Sequence, residues 1–226
     1  MPENSDFYPQ VMLRYTSRPP SPGEQTEFIV ALLRVFEEKV FNPRDFDPFP
    51  VDLIVDYIQR THVYYLEKKL PEIEQSIILL SDQYDSQHPI LAALRNFFLH
   101  YVKDLSEHIH AEETLLLPYI NTLREAGQSQ NCFSRFLLQH REYSIARFLN
   151  DHHDTEDELK DIRKTIRLYE PPETNESLYR ILLSQLQVFE QDLCVHAHIE
   201  EEVLIPKAQQ LEKEFNTRLQ TLSPLN

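Results

Sequence analysis

Two stretches of this chain nearly repeat each other. His108-Ile109-His110-Ala111-Glu112-Glu113-Thr114-Leu115-Leu116-Leu117-Pro118 and His196-Ala197-His198-Ile199-Glu200-Glu201-Glu202-Val203-Leu204-Ile205-Pro206 both read H-x-H-x-E-E-x, three aliphatics, Pro. On a helix, a His and a Glu four residues apart lie on one face, about one turn (~5.4 Å) apart. Two such helices facing each other bring an imidazole nitrogen and a carboxylate oxygen from each side to one point. That is the outline of a metal site.

The elements that must position these residues are helical. Only 2 of the 226 residues are Gly, too few for the turns and bulges of a sheet protein, and Leu, Glu, Gln, Lys and Arg are plentiful. The 15 Pro fall mostly outside the periodic segments, where helix boundaries and joints want them. The formal charge of −15 disfavours nucleic acid and anionic membrane as partners, both of which reward Lys/Arg patches. Cys132 and Cys194 stand far apart with no C-x-x-C, so neither a disulfide framework nor a thiolate-bound cluster is indicated. No signal peptide opens the sequence and no apolar run approaches ~18 residues, which makes the cytoplasm the expected location.

In chain order, residues 1–23 form a polar, Pro-rich arm, and a short amphipathic helix follows from Glu24 to about Val40. After the joint Asn42 to Pro50, helix A is predicted over about 51–81, with Ile54, Ile58, His62, Tyr65 and Lys69 on one stripe and a kink at Pro71. Helix B is predicted over about 89–125, with Leu94, Phe98, Tyr101, Leu105, His108, Glu112, Leu115 and Tyr119 facing inward and a bend at Pro118. Helix C covers about 133–168 and leads to His153; helix D covers about 176–215, with Leu182, Leu186, Phe189, Leu193, His196, Glu200 and Val203 on its stripe. The expected fold is all-α: an up-down-up-down four-helix bundle over residues 50–226, preceded by an arm and extra short helix over 1–49.

The turns test the site. With the first hairpin turning near position 85, His62 lies 23 residues before it and His108 23 after it. With the second turning near 174–175, His153 and His196 are also equidistant from the turn. Four histidines, one per helix, therefore fall at one level, and two of them carry a Glu one turn along. His62, His108, Glu112, His153, His196 and Glu200 are the candidate ligands of a two-metal site, with the carboxylates bridging. Metal is the simplest reason to bury two carboxylates, which unpaired cost several kcal/mol each.

The other histidines fit less well. His110 and His198 point about 200° away from their neighbours and read as surface residues. His88 reads as a turn or cap residue, His152 as exposed, and His100 and His140 as core or interhelical polar groups. Tyr65, one turn from His62, reads as core with a possible place in the pocket lining. A ferritin-like oxidase needs E-x-x-H twice; here it occurs once, Glu107 to His110, on the wrong face.

With these residues in place the chain resembles the hemerythrin-like, HHE cation-binding superfamily, and most closely the diiron domain of the iron–sulfur-cluster repair proteins of bacteria. The resemblance covers about residues 50–210. It is carried by Thr61-His62-Val63-Tyr64-Tyr65-Leu66-Glu67-Lys68-Lys69-Leu70-Pro71-Glu72, by the pairs His108/Glu112 and His196/Glu200, and by His153-Asp154 with Glu158-Leu159 and Pro171-Pro172. It implies two non-haem iron ions with oxo and carboxylate bridges. It departs in two places: residues 1–49 hold no Cys, where repair proteins usually carry adjacent cysteines, and Tyr84 stands where some of them have a His. Donor chemistry alone does not choose the metal, because zinc binds these groups at least as well as Fe(II).

The function this implies is binding of, or reaction with, a small diatomic ligand such as NO or O2, in iron–sulfur cluster repair or a stress response. The alternative is an O2 carrier or sensor without catalysis, in which residues 1–45 dock a protein partner. No general acid or base stands out beyond the metal ligands, so turnover is left open.

Overall fold

A computed structural model describes residues 22–83, 89–128, 143–151 and 176–222. The first helix, α1, spans Pro22–Glu38, with Pro in its first turn and Glu24 beside the positive end of its dipole. It stops at Lys39, a non-glycine residue in the left-handed region (φ 55°), whose N–H donates to the Val35 carbonyl at 2.9 Å. A short 3-10 turn, Pro43–Phe46, follows; Asn42 caps it by accepting from the Arg44 N–H at 3.3 Å.

Three long helices each contain one π-helical turn. Helix α2 comprises Val51–Tyr64, a π turn Tyr65–Lys69 and Leu70–Gln83. Helix α3 comprises Pro89–Ala111, a π turn Glu112–Leu116 and Leu117–Gln128. A short α4, Ile145–Asp151, precedes α5, which comprises Glu176–Ile199, a π turn Glu200–Leu204 and Ile205–Leu222. All the described elements are helical, as the expected all-α fold requires.

The π turns have a common cause in the sequence. Pro71, Pro118 and Pro206 each stand six residues after the first residue of a π turn. Proline has no N–H to donate, and its ring clashes with the carbonyl four residues back. The helix answers by widening: Leu70, Leu117 and Ile205 each donate five residues back, to Tyr65, Glu112 and Glu200. The expected kinks at Pro71 and Pro118 are thus π turns, and each adds one residue to its turn.

That extra residue corrects two of the expected stripes. Leu115 is 51% exposed and Leu116 is fully buried, although Leu115 carries the predicted inward position. Lys69 is likewise only partly buried while Leu70 is 3% exposed. Within the π turns of α2 and α3 the buried position thus falls one residue later than expected, whereas Tyr119 beyond the α3 turn and Val203 in the α5 turn are buried as their stripes predict. The predicted boundaries of α1, α2, α3 and α5 lie within a few residues of the observed ones, apart from the end of α5, which runs on to Leu222. Of helix C, residues 143–151 are described: 143 and 144, expected within it, are not helical, and α4 begins at Ile145; the remainder of 133–168, and residues 1–21 of the arm, lie outside the described residues.

The second half of α2 packs on the first halves of α3 and α5, and the first half of α2 on the π turn of α5. Two apolar clusters result. One joins α1 and the 3-10 turn to the outer ends of the long helices through Phe28, Phe46, Ile54, Ile58, Leu116, Leu204 and Phe148. The other joins their inner halves through Tyr65, Ile73, Phe98, Leu105, Leu186 and Phe189. Burial of this kind contributes about 25 cal/mol per Å2 of apolar surface. Between the clusters lies a polar layer of buried His62, Glu112, His196 and Glu200; Asn121, also buried, lies further along α3 beside Ile120 of the first cluster. No described helix is long and apolar enough to cross a membrane.

Candidate metal centre

Each long helix delivers its polar side chain from the last turns before the prolines widen it. His62 sits three residues before the π turn of α2, and Glu112 and Glu200 open the π turns of α3 and α5. Their carbonyls accept the five-back bonds, so the backbone that carries each carboxylate is fixed by the ring two turns on.

The donors converge. Glu112 reaches across the bundle to His62, Oε2 to Nε2 at 2.9 Å, and along its own helix to His108, Oε1 to Nε2 at 2.6 Å. The Nε2 atoms of His62 and His196 are 3.3 Å apart, and His196 Nε2 lies 3.8 Å from Glu200 Oε2. Two groups of three donors result, His62–Glu112–His196 and His108–Glu112–Glu200, with the ligand atoms of each within 4.8 Å of one another. Glu112 belongs to both.

This arrangement fits a pair of ions. Two donors at right angles around one ion, each ~2.1 Å from it, are about 3 Å apart, close to the separations among His62, Glu112 and His196. One group offers two nitrogens and an oxygen, the other one nitrogen and two oxygens, donor sets for borderline divalent metals.

The electrostatics show how tightly the groups are coupled. Burial opposes charge on His62, but hydrogen bonds to Glu112 and Glu113, and their charges, outweigh it and raise its pKa from 6.5 to about 9. Burial likewise works against the Glu112 carboxylate, yet its bonds to His108 and His62 hold its pKa well below the usual range. Burial and then the charge of His62 push His196 down to about 3. Burial and then the charge of Glu112 push Glu200 well above the usual range.

Five of the six expected ligands, His62, His108, Glu112, His196 and Glu200, thus come together. His153, the sixth, lies outside the described residues, as do His88, His140 and His152. His110 is exposed. His198 is part-exposed, bonded through Nδ1 to Glu202 at 2.7 Å and stacked on Phe41. His100 is a surface residue against the Asn96 carbonyl, not the core or interhelical group its position suggested. Tyr65 is core, beside the donors: its ring meets His196 edge-on at 5.5 Å and Phe189 at 5.3 Å.

Three neighbours escaped the sequence reading. Thr61 Oγ1 lies 2.8 Å from His196 Nδ1, Glu113 Oε1 lies 2.7 Å from His62 Nδ1, and Gln59 Nε2 donates to Glu113 Oε2 at 2.9 Å. The second Glu of H-x-x-x-E-E was the available signal for Glu113. Thr61, directly before His62, gave none.

The sequence pattern of the hemerythrin HHE cation binding domain matches residues 65–208, more than half of the chain, and begins just after His62. The iron-sulfur cluster repair protein ScdA of Staphylococcus haemolyticus (strain JCSC1435) is 22% identical over 154 residues, 68% of this chain and 65% of that protein. The iron-sulfur cluster repair protein YtfE of Pectobacterium carotovorum subsp. carotovorum (strain PC1) is 27% identical over 170 residues, 73% of this chain and 69% of that protein. The matched region therefore spans about two thirds of the length of each relative. By its fold, its paired His/Glu donors and the extent of the match, the chain belongs to the hemerythrin HHE cation binding domain family.

Proposed function

We propose that the chain holds two non-haem iron ions, meets NO, O2 or related small molecules, and serves iron–sulfur cluster repair under nitrosative or oxidative stress in the cytoplasm. The observation that carries the reading is the sharing of Glu112 between two three-donor groups. A single ion needs only one such group; a shared carboxylate supports a pair. The printed names of the two relatives support the repair role, and the family supports iron over zinc.

When bound, an ion pair would supply redox-active positions open to a small molecule. The chain supplies the remainder. His62, His196 and Glu112 hold one position, and His108 with Glu112 and Glu200 hold the other, with His153 proposed to join them. The apolar layers on both sides keep water from the donors. The His108 side chain, 17% exposed against 0% for Glu112, lies toward the side from which a small ligand enters.

The test is metal content by mass spectrometry and an ultraviolet–visible spectrum, on protein from iron-supplemented cells. About two irons per chain with charge-transfer bands that shift on adding NO or peroxide is the expected result. Zinc alone, one ion per chain, or bands indifferent to both reagents would overturn the reading.

A further inference from the structure

We propose that Thr61 and Glu113, the latter held by Gln59, are positioning residues that fix the rings of His196 and His62, making the His62–Glu112–His196 position the first to be filled. This rests on the two-ion reading above.

The hydroxyl of Thr61 has one proton to give. Oγ1 lies 2.8 Å from the Ile58 carbonyl and 3.1 Å from that of Tyr57, so the proton goes to its own helix, as Thr does one turn back. Toward His196 Nδ1, at 2.8 Å, Oγ1 is then the acceptor. His196 must carry its proton on Nδ1, which leaves the lone pair of Nε2 directed at His62 and the shared site.

The same logic holds on the other side by a different device. The Glu113 carboxylate accepts only, so His62 Nδ1 donates to Oε1 at 2.7 Å, and the ring is oriented with Nε2 toward Glu112. Gln59 Nε2 donates to the other oxygen at 2.9 Å and keeps Glu113 from rotating away. Glu112 and Glu113 are adjacent on α3, yet they grip opposite nitrogens of one ring on α2: the first faces the site and the second holds the ring from behind.

Before any ion arrives, both imidazoles of this position are therefore set in orientation, His196 in tautomer as well, and they are buried at 2% and 6% exposure. Little ordering is left for the ion to impose. The other position draws on His108, which is more exposed, and on Glu200, whose carboxylate is 3.8 Å from His196. Partners behind a ligating His are commonly worth about 10–100-fold in metal affinity.

The experiment titrates metal-free full-length protein with Zn(II), and anaerobically with Fe(II), against a competing chromophoric chelator. Wild-type protein is expected to fill in two steps of unequal affinity. Thr61→Val, which keeps the shape and removes the hydroxyl, and Glu113→Gln should each weaken the tighter step by about tenfold to a hundredfold and leave the weaker step unchanged. Thr61→Ser should restore the tighter step. Circular dichroism melting of the metal-free variants establishes that they fold; if Thr61→Val does not, Glu113→Gln and Gln59→Ala carry the comparison. Wild-type affinities in the valine and glutamine variants, or a serine variant as weak as the valine one, would overturn the inference while leaving the two-ion reading in place. A wild-type protein that takes up no ion would overturn both.

Discussion

His62 and His196, 134 residues apart in sequence, bring their Nε2 atoms to within 3.3 Å at the centre of the bundle. Two lone pairs that close repel unless something positive lies between or beside them. In the metal-free protein that something is a proton: His62, with its pKa raised to about 9, is an imidazolium between Glu112 and Glu113, and His196 stays neutral. A divalent ion would satisfy the same geometry with more charge and with Glu112 as a third donor.

The unequal membership of the two donor groups separates Glu112 from Glu200. Glu112→Ala removes a donor from both groups and Glu200→Ala from one. After anaerobic Fe(II) loading and gel filtration, mass spectrometry should find close to no iron in the first variant and about one ion per chain in the second. Two ions retained by Glu112→Ala would mean that other donors bridge them.

Loading and pH are linked through the same groups. A group whose folded pKa is raised, as for His62 from 6.5 to about 9, stabilises the fold fully below pH 6.5, and that stability is lost as pH rises toward 9. The raised Glu200 acts in the same direction above its usual range, and His196, depressed to about 3, is neutral in both states for most of this window. The melting temperature of metal-free protein should therefore fall between pH 6.5 and 9. Metal displaces the His62 proton, so loading at pH 7 should release protons and apparent affinity should climb with pH over the same interval. Calorimetric melts and a weakly buffered indicator titration measure the two; a metal-free melting temperature that rises through this window would contradict the assignment.

Much of this was legible because the site sits in the most periodic part of the chain. His-to-Glu spacing of four, repeated before matched aliphatics and Pro, fixed the helix face, and equal distances from two turns fixed the level of His62 against His108. What periodicity could not reveal is where the period changes. Pro71 and Pro118 read as kinks, yet each is answered by a π turn within which the inward position moves on by one residue, so Leu115 and Lys69 were placed inward wrongly, while Val203, in the π turn before Pro206, is buried as expected. Thr61 and Gln59 escaped for another reason: their partners lie across the bundle or on the next helix, and no local pattern encodes such contacts.

The slip in phase has a direct test in two adjacent leucines. Leu116 is fully buried in the outer apolar cluster, and Leu115 is 51% exposed. Leu116→Ala should cost about 2–5 kcal/mol in denaturant unfolding of the metal-free protein. Leu115→Ala should stay within about 0.5 kcal/mol of wild type. An uninterrupted α-helix with Leu115 inward predicts the reverse order.

Pro206 tests whether the π turns serve the site. An interior Pro costs a helix about 3 kcal/mol, so Pro206→Ala should leave the metal-free protein at least as resistant to heat as wild type. The alanine N–H can bond four residues back, to Glu202, and relieve the widening that begins at Glu200. Glu200 would then turn relative to His196, with which it now makes a 3.8 Å pair, and the His108–Glu112–Glu200 group would open. The expected signature is an unchanged or raised melting temperature in the metal-free state, together with loss of the weaker of the two metal-binding steps. Both steps surviving intact in a variant that melts higher would show that the π turn in α5 only accommodates the proline.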